Sequence, residues 1–266
     1  ELHILTREGK LNQDTRRKLK QVYHLVQFIE PLLASVLKER GDVTLADHGA
    51  GKSYLGFILY DLFFKAKPVG WVYGVESRAE LVEKSTALAA RLGFERMRFL
   101  ATTVQQALTD PGLPPSFDVV TALHACDTAT DDAIAFGLAK QARHMVLVPC
   151  CQAEVASVMR SSKALNLSRT PLAELWRHPL HTREFGSQIT NVLRCLQLEA
   201  HGYSVTVTEL VGWEHSMKNE LILASKTGPG HRTQRERAGE RLQQVLDELG
   251  LQALRSRFGV AEQTPA

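Results

Sequence analysis

The chain has 266 residues, 44% of them hydrophobic and 23% charged, with a formal net charge of +3. That is ordinary for a soluble globular protein and long enough for one large domain with short extensions. The small basic excess permits an anionic partner without demanding one; no apolar run approaches the roughly 20 residues of a membrane span, and four cysteines, two of them adjacent, make no secreted disulfide framework.

The first residues, ELHILTREGK, carry charges where a signal peptide has its apolar core, and they lack an initiator Met. The expectation is a trimmed or processed chain in the reducing cytoplasm. Residues 10–40 read as a helix, because Leu19, Val22, Tyr23, Val26, Ile29, Leu33 and Val36 recur at spacings of three and four. Asp14 or Thr15 can cap its start. Arg16, Arg17, Lys18 and Lys20 crowd its first half, either as a solvated face or as a basic surface for nucleic acid. Residues 1–41 therefore form a basic, helical N-terminal extension.

From Asp42 short apolar runs alternate with helical stretches. VTLAD, GWVYGVES, RMRFLAT, FDVVTALHAC and HMVLVPCC are expected strands. SYLGFILYDLFFKA, RAELVEKSTALAARLG and TDDAIAFGLAKQA are expected helices, the second ending at Gly93. Repeated units of this kind imply a mostly parallel sheet with helices on both faces. GYSVTVTELVGWE and KNELILASK follow too closely for a crossover helix, so they pair antiparallel. Between them and the fifth strand lies an insert, about 152–185, read as a cover over the strand ends, and then a helix from roughly Gly186 to Ala200. A linker, TGPGHRTQRER, and a short amphipathic helix from Ala238 close the chain over 227–266.

The stretch VTLADHGAGKSYLGF admits two readings. From Ala46 it is A-x-x-x-x-G-K-S, close to a phosphate-binding P-loop; from Asp47 it is D-x-G-x-G. A P-loop usually starts with Gly, whereas Ala46 stands there and Asp47 follows, and a carboxylate inside a phosphate nest repels its ligand. The second reading places Asp47 at the end of the first strand, toward a cofactor's amino-acid end, with Gly49 and Gly51 letting the backbone turn close to it. Glu76, 25 residues after Gly51, ends the second strand, where a carboxylate accepts both ribose hydroxyls of a nucleoside cofactor.

These features, with DHGAGKSYL (47–55), LHACDTATD (123–131), PCCQ (149–152) and KNELI (218–222), resemble class I S-adenosylmethionine (SAM)-dependent methyltransferases of the "methyltransferase domain" group over roughly residues 8–226. Many relatives carry Cys at one or both of the positions held here by His48 and Ala50. The resemblance implies a Rossmann-like, seven-stranded, mostly parallel sheet with an antiparallel last strand and a SAM-binding domain over 42–226. It implies cofactor contacts from Asp47, His48, Gly49, Gly51, Lys52, Glu76, Ser77, Thr102, Thr103, Leu123 and His124.

The strand-four end lacks the N/D-P-P-Y/F of many amino-methylating enzymes and holds His124, Cys126 and Asp127 instead. Asp127 or His124 can accept a proton from the target atom, aided by Lys218; or Asp127 and Thr130 only brace the loop and cap a helix. His124, Cys126, Cys150 and Cys151 lack the Glu of a zinc deaminase, and adjacent cysteines bind one tetrahedral ion with difficulty, so no metal is expected. Basic residues in the insert (Arg160, Lys163, Arg169, Arg177, Arg183) and in the N-terminal helix favour an RNA substrate, base or ribose, in rRNA or tRNA. Methylation of a protein or small molecule, or SAM binding without turnover, are the alternatives. No membrane contact is expected, and the sequence assigns no oligomeric state.

Overall fold

In the computed structural model the described residues are 13–123, 125–149, 152–161, 171–210, 220–228 and 230–259. Seven short strands, β1 (Thr44–His48), β2 (Trp71–Glu76), β3 (Met97–Ala101), β4 (Val119–Leu123), β5 (His144–Val148), β6 (Tyr203–Glu209) and β7 (Glu220–Lys226), form one sheet in the order β3-β2-β1-β4-β5-β7-β6. The first five pair in parallel, and β7 runs antiparallel between β5 and β6. Apolar runs such as MVLV of β5 are buried on both faces, as parallel strands between helical layers must be.

Helices α1 (Gln13–Arg40), α2 (Tyr54–Leu59) and α3 (Ala79–Leu92) are joined to one apolar cluster with Leu45, Val72, Val119 and Val146. The predicted stripe on α1 is borne out: Val22, Val26, Ile29, Leu33 and Val36 are buried there, while Tyr23 is half exposed. Each such aliphatic side chain contributes about 1.5–3 kcal/mol on burial, so this helix belongs to the main core. Its end is tied to the sheet where Arg40 pairs with Asp118, whose other oxygen accepts from Thr44 N at 2.9 Å.

The opposite face holds Ala46, Tyr73, Val75, Val120, Ala122, Met145 and Leu147 against α5 (Ala129–Ala139). Gly137 of that helix lies against the Met145 side chain, with no room for a Cβ. A third cluster joins α6 (Glu154–Ser161), α7 (Pro179–Ala200) and α8 (Arg232–Glu248) through Val155, Met159, Leu193, Leu242 and Leu246.

Several expected elements change shape. The helix after β1 is α2 continued by a π-helical turn, Tyr60–Phe64. The segment after β3 contains a helix, α4 (Val104–Thr109), set by a capping box in which Thr103 Oγ1 accepts from Gln106 N and Gln106 Oε1 accepts from Thr103 N. The insert contains α6 and a 3-10 helix, Pro171–Trp176, and α7 begins at Pro179, where Pro suits a first helical position. The expected C-terminal linker is already helical from Arg232, supported by an Arg232–Glu236 pair four residues apart.

Candidate active site at the carboxyl ends of the central strands

Because β1 to β5 are parallel, their carboxyl ends and the loops that follow share one edge of the sheet, the usual ligand side of such folds. The β1–β2 register pairs Asp47 with Gly74 and His48 with Val75, which leaves Glu76 just beyond the turn. The chain then reverses: Gly49 and Gly51 have φ of 65° and 57°, a left-handed backbone that favours glycine. The amides of Gly49 and Ala50 both donate to Val75 O. Gly51 N instead donates to Glu76 Oε2 at 2.8 Å, joining the two strand ends directly.

Glu76 is buried and carries a second set of donors. Arg78 gives its backbone amide at 3.1 Å and Nε at 2.9 Å to Oε1, and an Nη2 bond at 3.2 Å to Oε2. Burial alone would raise this carboxyl, but the Arg78 guanidinium, the Arg78 amide and the Gly51 amide outweigh it and hold it at about 2. Glu76 is therefore a fixed anion. The Arg78 side chain is 60% exposed, so it covers Glu76 from the solvent side. Ser77 Oγ adds a long bond of 3.4 Å to the same carboxylate.

Asp47 and His48 point to opposite faces, as neighbours in a strand do. Asp47 accepts from Thr121 Oγ1 at 3.1 Å and Ser53 Oγ at 3.2 Å, facing α2. Burial pushes its carboxyl up to about 6 against those hydrogen bonds. Its oxygens thus brace the turn, holding Ser53 in a left-handed conformation at the start of α2. His48 faces α5, its ring 5.5 Å from that of Phe136. It is 7% exposed, and neither ring nitrogen has a hydrogen-bond partner. Burial lowers its pKa to about 4, with Glu76 opposing, so the imidazole is neutral near pH 7. A buried polar group without a partner costs about 1–3 kcal/mol.

At the strand-three end, Thr102 is buried and Thr103 caps α4. Leu123 ends β4, partly exposed toward the same edge, and Lys52 is exposed after the turn. Asp127 has φ of 51° and accepts through Oδ1 from Ala153 N at 2.9 Å and Glu154 N at 3.3 Å. It thereby caps α6 from another loop, which is the bracing option of the sequence reading applied to a different helix. Thr130 Oγ1 returns to Ala125 O. His124 and Lys218, like Cys150 and Cys151, lie outside the described residues.

Beside this edge is a polar network that the sequence reading missed. Arg194 of α7 is fully buried and bonds Asp131 through Nε at 2.7 Å and Nη2 at 2.8 Å, Asn191 Oδ1 at 3.1 Å and Asp127 O at 2.8 Å. Asn191 Oδ1 also accepts from Gln152 Nε2 at 2.9 Å, and Asn191 Nδ2 donates to Glu220 Oε2 at 2.7 Å. The loops after β4 and β5 are thus joined to α7 and β7. Only a charged residue inside an apolar helical pattern hinted at it.

A family model described as a methyltransferase domain matches residues 17–158, more than half of the chain. The chain belongs to this methyltransferase-domain family. A search of curated protein sequences found no match. Among solved structures, it is similar to magnesium protoporphyrin IX methyltransferase from Synechocystis PCC 6803 with bound S-adenosylhomocysteine (SAH), at 15% identity over 82% of this chain and 90% of that one, TM-score 0.48. An rRNA methylase from Streptococcus thermophilus matches at 10% identity over 76% and 96%, TM-score 0.46. A fibrillarin pre-rRNA processing protein from Methanococcus jannaschii matches at 12% identity over 70% and 67%, TM-score 0.45. These likenesses carry no substrate to this chain.

The family match and the antiparallel β7 make this methyltransferase a class I, SAM-dependent enzyme. Two features are compatible with that cofactor: a fixed anion at the end of β2 and a turn whose glycines admit close approach.

Proposed function

We propose that this methyltransferase modifies RNA, on a base or a ribose oxygen. The observation that carries the reading is the set of exposed arginines Arg160, Arg177 and Arg183 on the segment that follows the carboxyl end of β5. Among the described residues, Arg177 and Arg183 pair with their near neighbours Glu174 and Glu184. Such exposed pairs are worth little, about 0–1 kcal/mol, so a phosphate can take the arginines over.

In this reading Glu76 accepts the ribose hydroxyls once Arg78 turns away, with Ser77 beside it, and Thr102 and Thr103 border the adenine. Gly49, Gly51 and Asp47 shape the bed of the amino-acid end, with Lys52 at its exposed rim, and Leu123 and His124 flank the cofactor. SAM supplies an electrophilic methyl group on a sulfonium. Asp127, His124 and Lys218 remain the proposed acceptor-side residues, with Asp127 acting through the loop it fixes. The setting is proposed to be cytoplasmic.

One feature favours a second reading, a small or protein-borne amine as acceptor. A cavity of about 420 Å³ between Pro149, Gln152, Asn191, Thr208 and the paired Glu209 and Glu220 has no Lys or Arg among its described lining residues. Such a field disfavours a phosphate diester.

Tritiated SAM incubated with the protein and with RNA or protein fractions from cells lacking it tests the choice. Label in a defined RNA fragment is the expected result. Label confined to protein or small molecules overturns the RNA reading, and cofactor binding without transfer to any fraction overturns the enzyme's proposed role.

A further inference from the structure

The imidazole of His48 is the one buried side chain at the cofactor turn that no hydrogen bond among the described residues explains. It is 7% exposed, and both ring nitrogens are without a partner. Its neighbours in the turn are spoken for: Asp47 by Ser53 and Thr121, and Glu76 by Gly51 and Arg78. A buried polar group left open in this way is explained by a partner that arrives from outside the fold.

The direction of the ring says which partner. Asp47 faces α2, whereas His48 lies on the other face, against Phe136 of α5. The turn that follows His48 approaches the loop after β4, since a Cβ at Gly49 would stand 3.8 Å from Ala125 Cβ, two residues before Asp127. The imidazole therefore lies on the side of α5 and of the loop that leads into it, where the acceptor is expected, with the Glu76 carboxylate still acting on it through space.

We propose that His48 holds the methyl acceptor, its neutral imidazole accepting a hydrogen bond from the N–H or O–H group that receives the methyl. A carbon acceptor offers no such donor, so the inference restricts the product to N- or O-methylation. It rests on the methyltransferase reading, and takes RNA as its first probe from the proposal above. Burial keeps the ring uncharged across the physiological range, so the accepting lone pair is always present.

The test is a long-range proton–nitrogen spectrum of the histidine rings in uniformly ¹⁵N-labelled full-length protein, with His48 assigned by its loss in His48→Gln. SAH is added first, then total cellular RNA from cells lacking the protein. The expected result is no change at the His48 ring with SAH and a shift when RNA follows. His48→Leu is expected to bind SAH within about twofold of the parent and to lose about tenfold in kcat/KM for RNA, with His48→Gln regaining part of it.

A ring shift with SAH alone, no shift with either ligand, or a carbon-methylated nucleoside overturns the inference. Should His48→Leu fail to fold, the parent spectrum decides alone. Should label enter a protein fraction instead of RNA, the RNA reading fails by itself; the same spectrum with that fraction then supports His48 by a shift or overturns it by none.

Discussion

Arg78 lies across Glu76, its Nε 2.9 Å from Oε1 and its Nη2 3.2 Å from Oε2, on the carboxylate proposed to hold the cofactor ribose. The arginine therefore competes with the ligand it guards. The pair is exposed on the arginine side, so its hold is worth at most about 1 kcal/mol. Arg78→Ala is expected to tighten SAH binding about two- to fivefold by calorimetry, and Glu76→Gln to weaken it about tenfold or more.

Arg194 and Asp131 form a pair with side chains only 1% and 5% exposed. Removing one partner leaves the other charge buried, so Arg194→Met or Asp131→Asn is expected to cost about 3–5 kcal/mol. The double variant Arg194→Met, Asp131→Leu should recover much of this. Urea denaturation of the three proteins measures it.

Asp127 caps α6 across two loops. Asp127→Asn keeps an acceptor oxygen and is expected to change stability by less than about 0.5 kcal/mol, while Asp127→Ala loses about 1 kcal/mol. Turnover separates the roles: with a bracing role, Asp127→Asn retains activity; with a proton-accepting role, it loses activity as fully as Asp127→Ala.

Asp47 and His48 give opposite pH dependences. Asp47, pushed up to about 6, holds a proton in the fold that the unfolded chain has lost, so its contribution falls as pH rises from near 4 to 6. His48, lowered to about 4, resists a proton that the unfolded chain takes up below 6.5, so its contribution is lost as pH falls from 6.5 to 4. Each is worth about 3 kcal/mol and they nearly cancel. Relative to the parent, His48→Leu should gain stability as pH falls from 6 to 4.5, and Asp47→Asn should lose it. Urea midpoints across pH read this directly.

The strands and the acid at the end of β2 were legible because a parallel sheet writes itself as short apolar runs ending in polar turns. The stripe on α1 was legible for the same kind of reason, its period of 3.6. Helix α4 was missed because six residues show no period; its capping box, Thr103 with Gln106, was the available signal. Arg78 lies two residues beyond Glu76 and looked like an ordinary helix start. The Arg194 pairing joins positions 63 residues apart, and no local pattern records that. Asp127 was read as a choice between chemistry and bracing, and only the left-handed backbone and the amides of Ala153 and Glu154 reveal what its carboxylate touches.

The buried pair also crosses a boundary in the chain. Asp131 lies within the stretch matched by the family model, residues 17–158, and Arg194 lies beyond it. A chimera that exchanges everything after α6 for a segment with no arginine at this place would strand Asp131. Any such graft needs position 194, or a neutralised position 131, carried across with it; the seam between the stretch that the family model covers and the rest of the chain is electrically keyed.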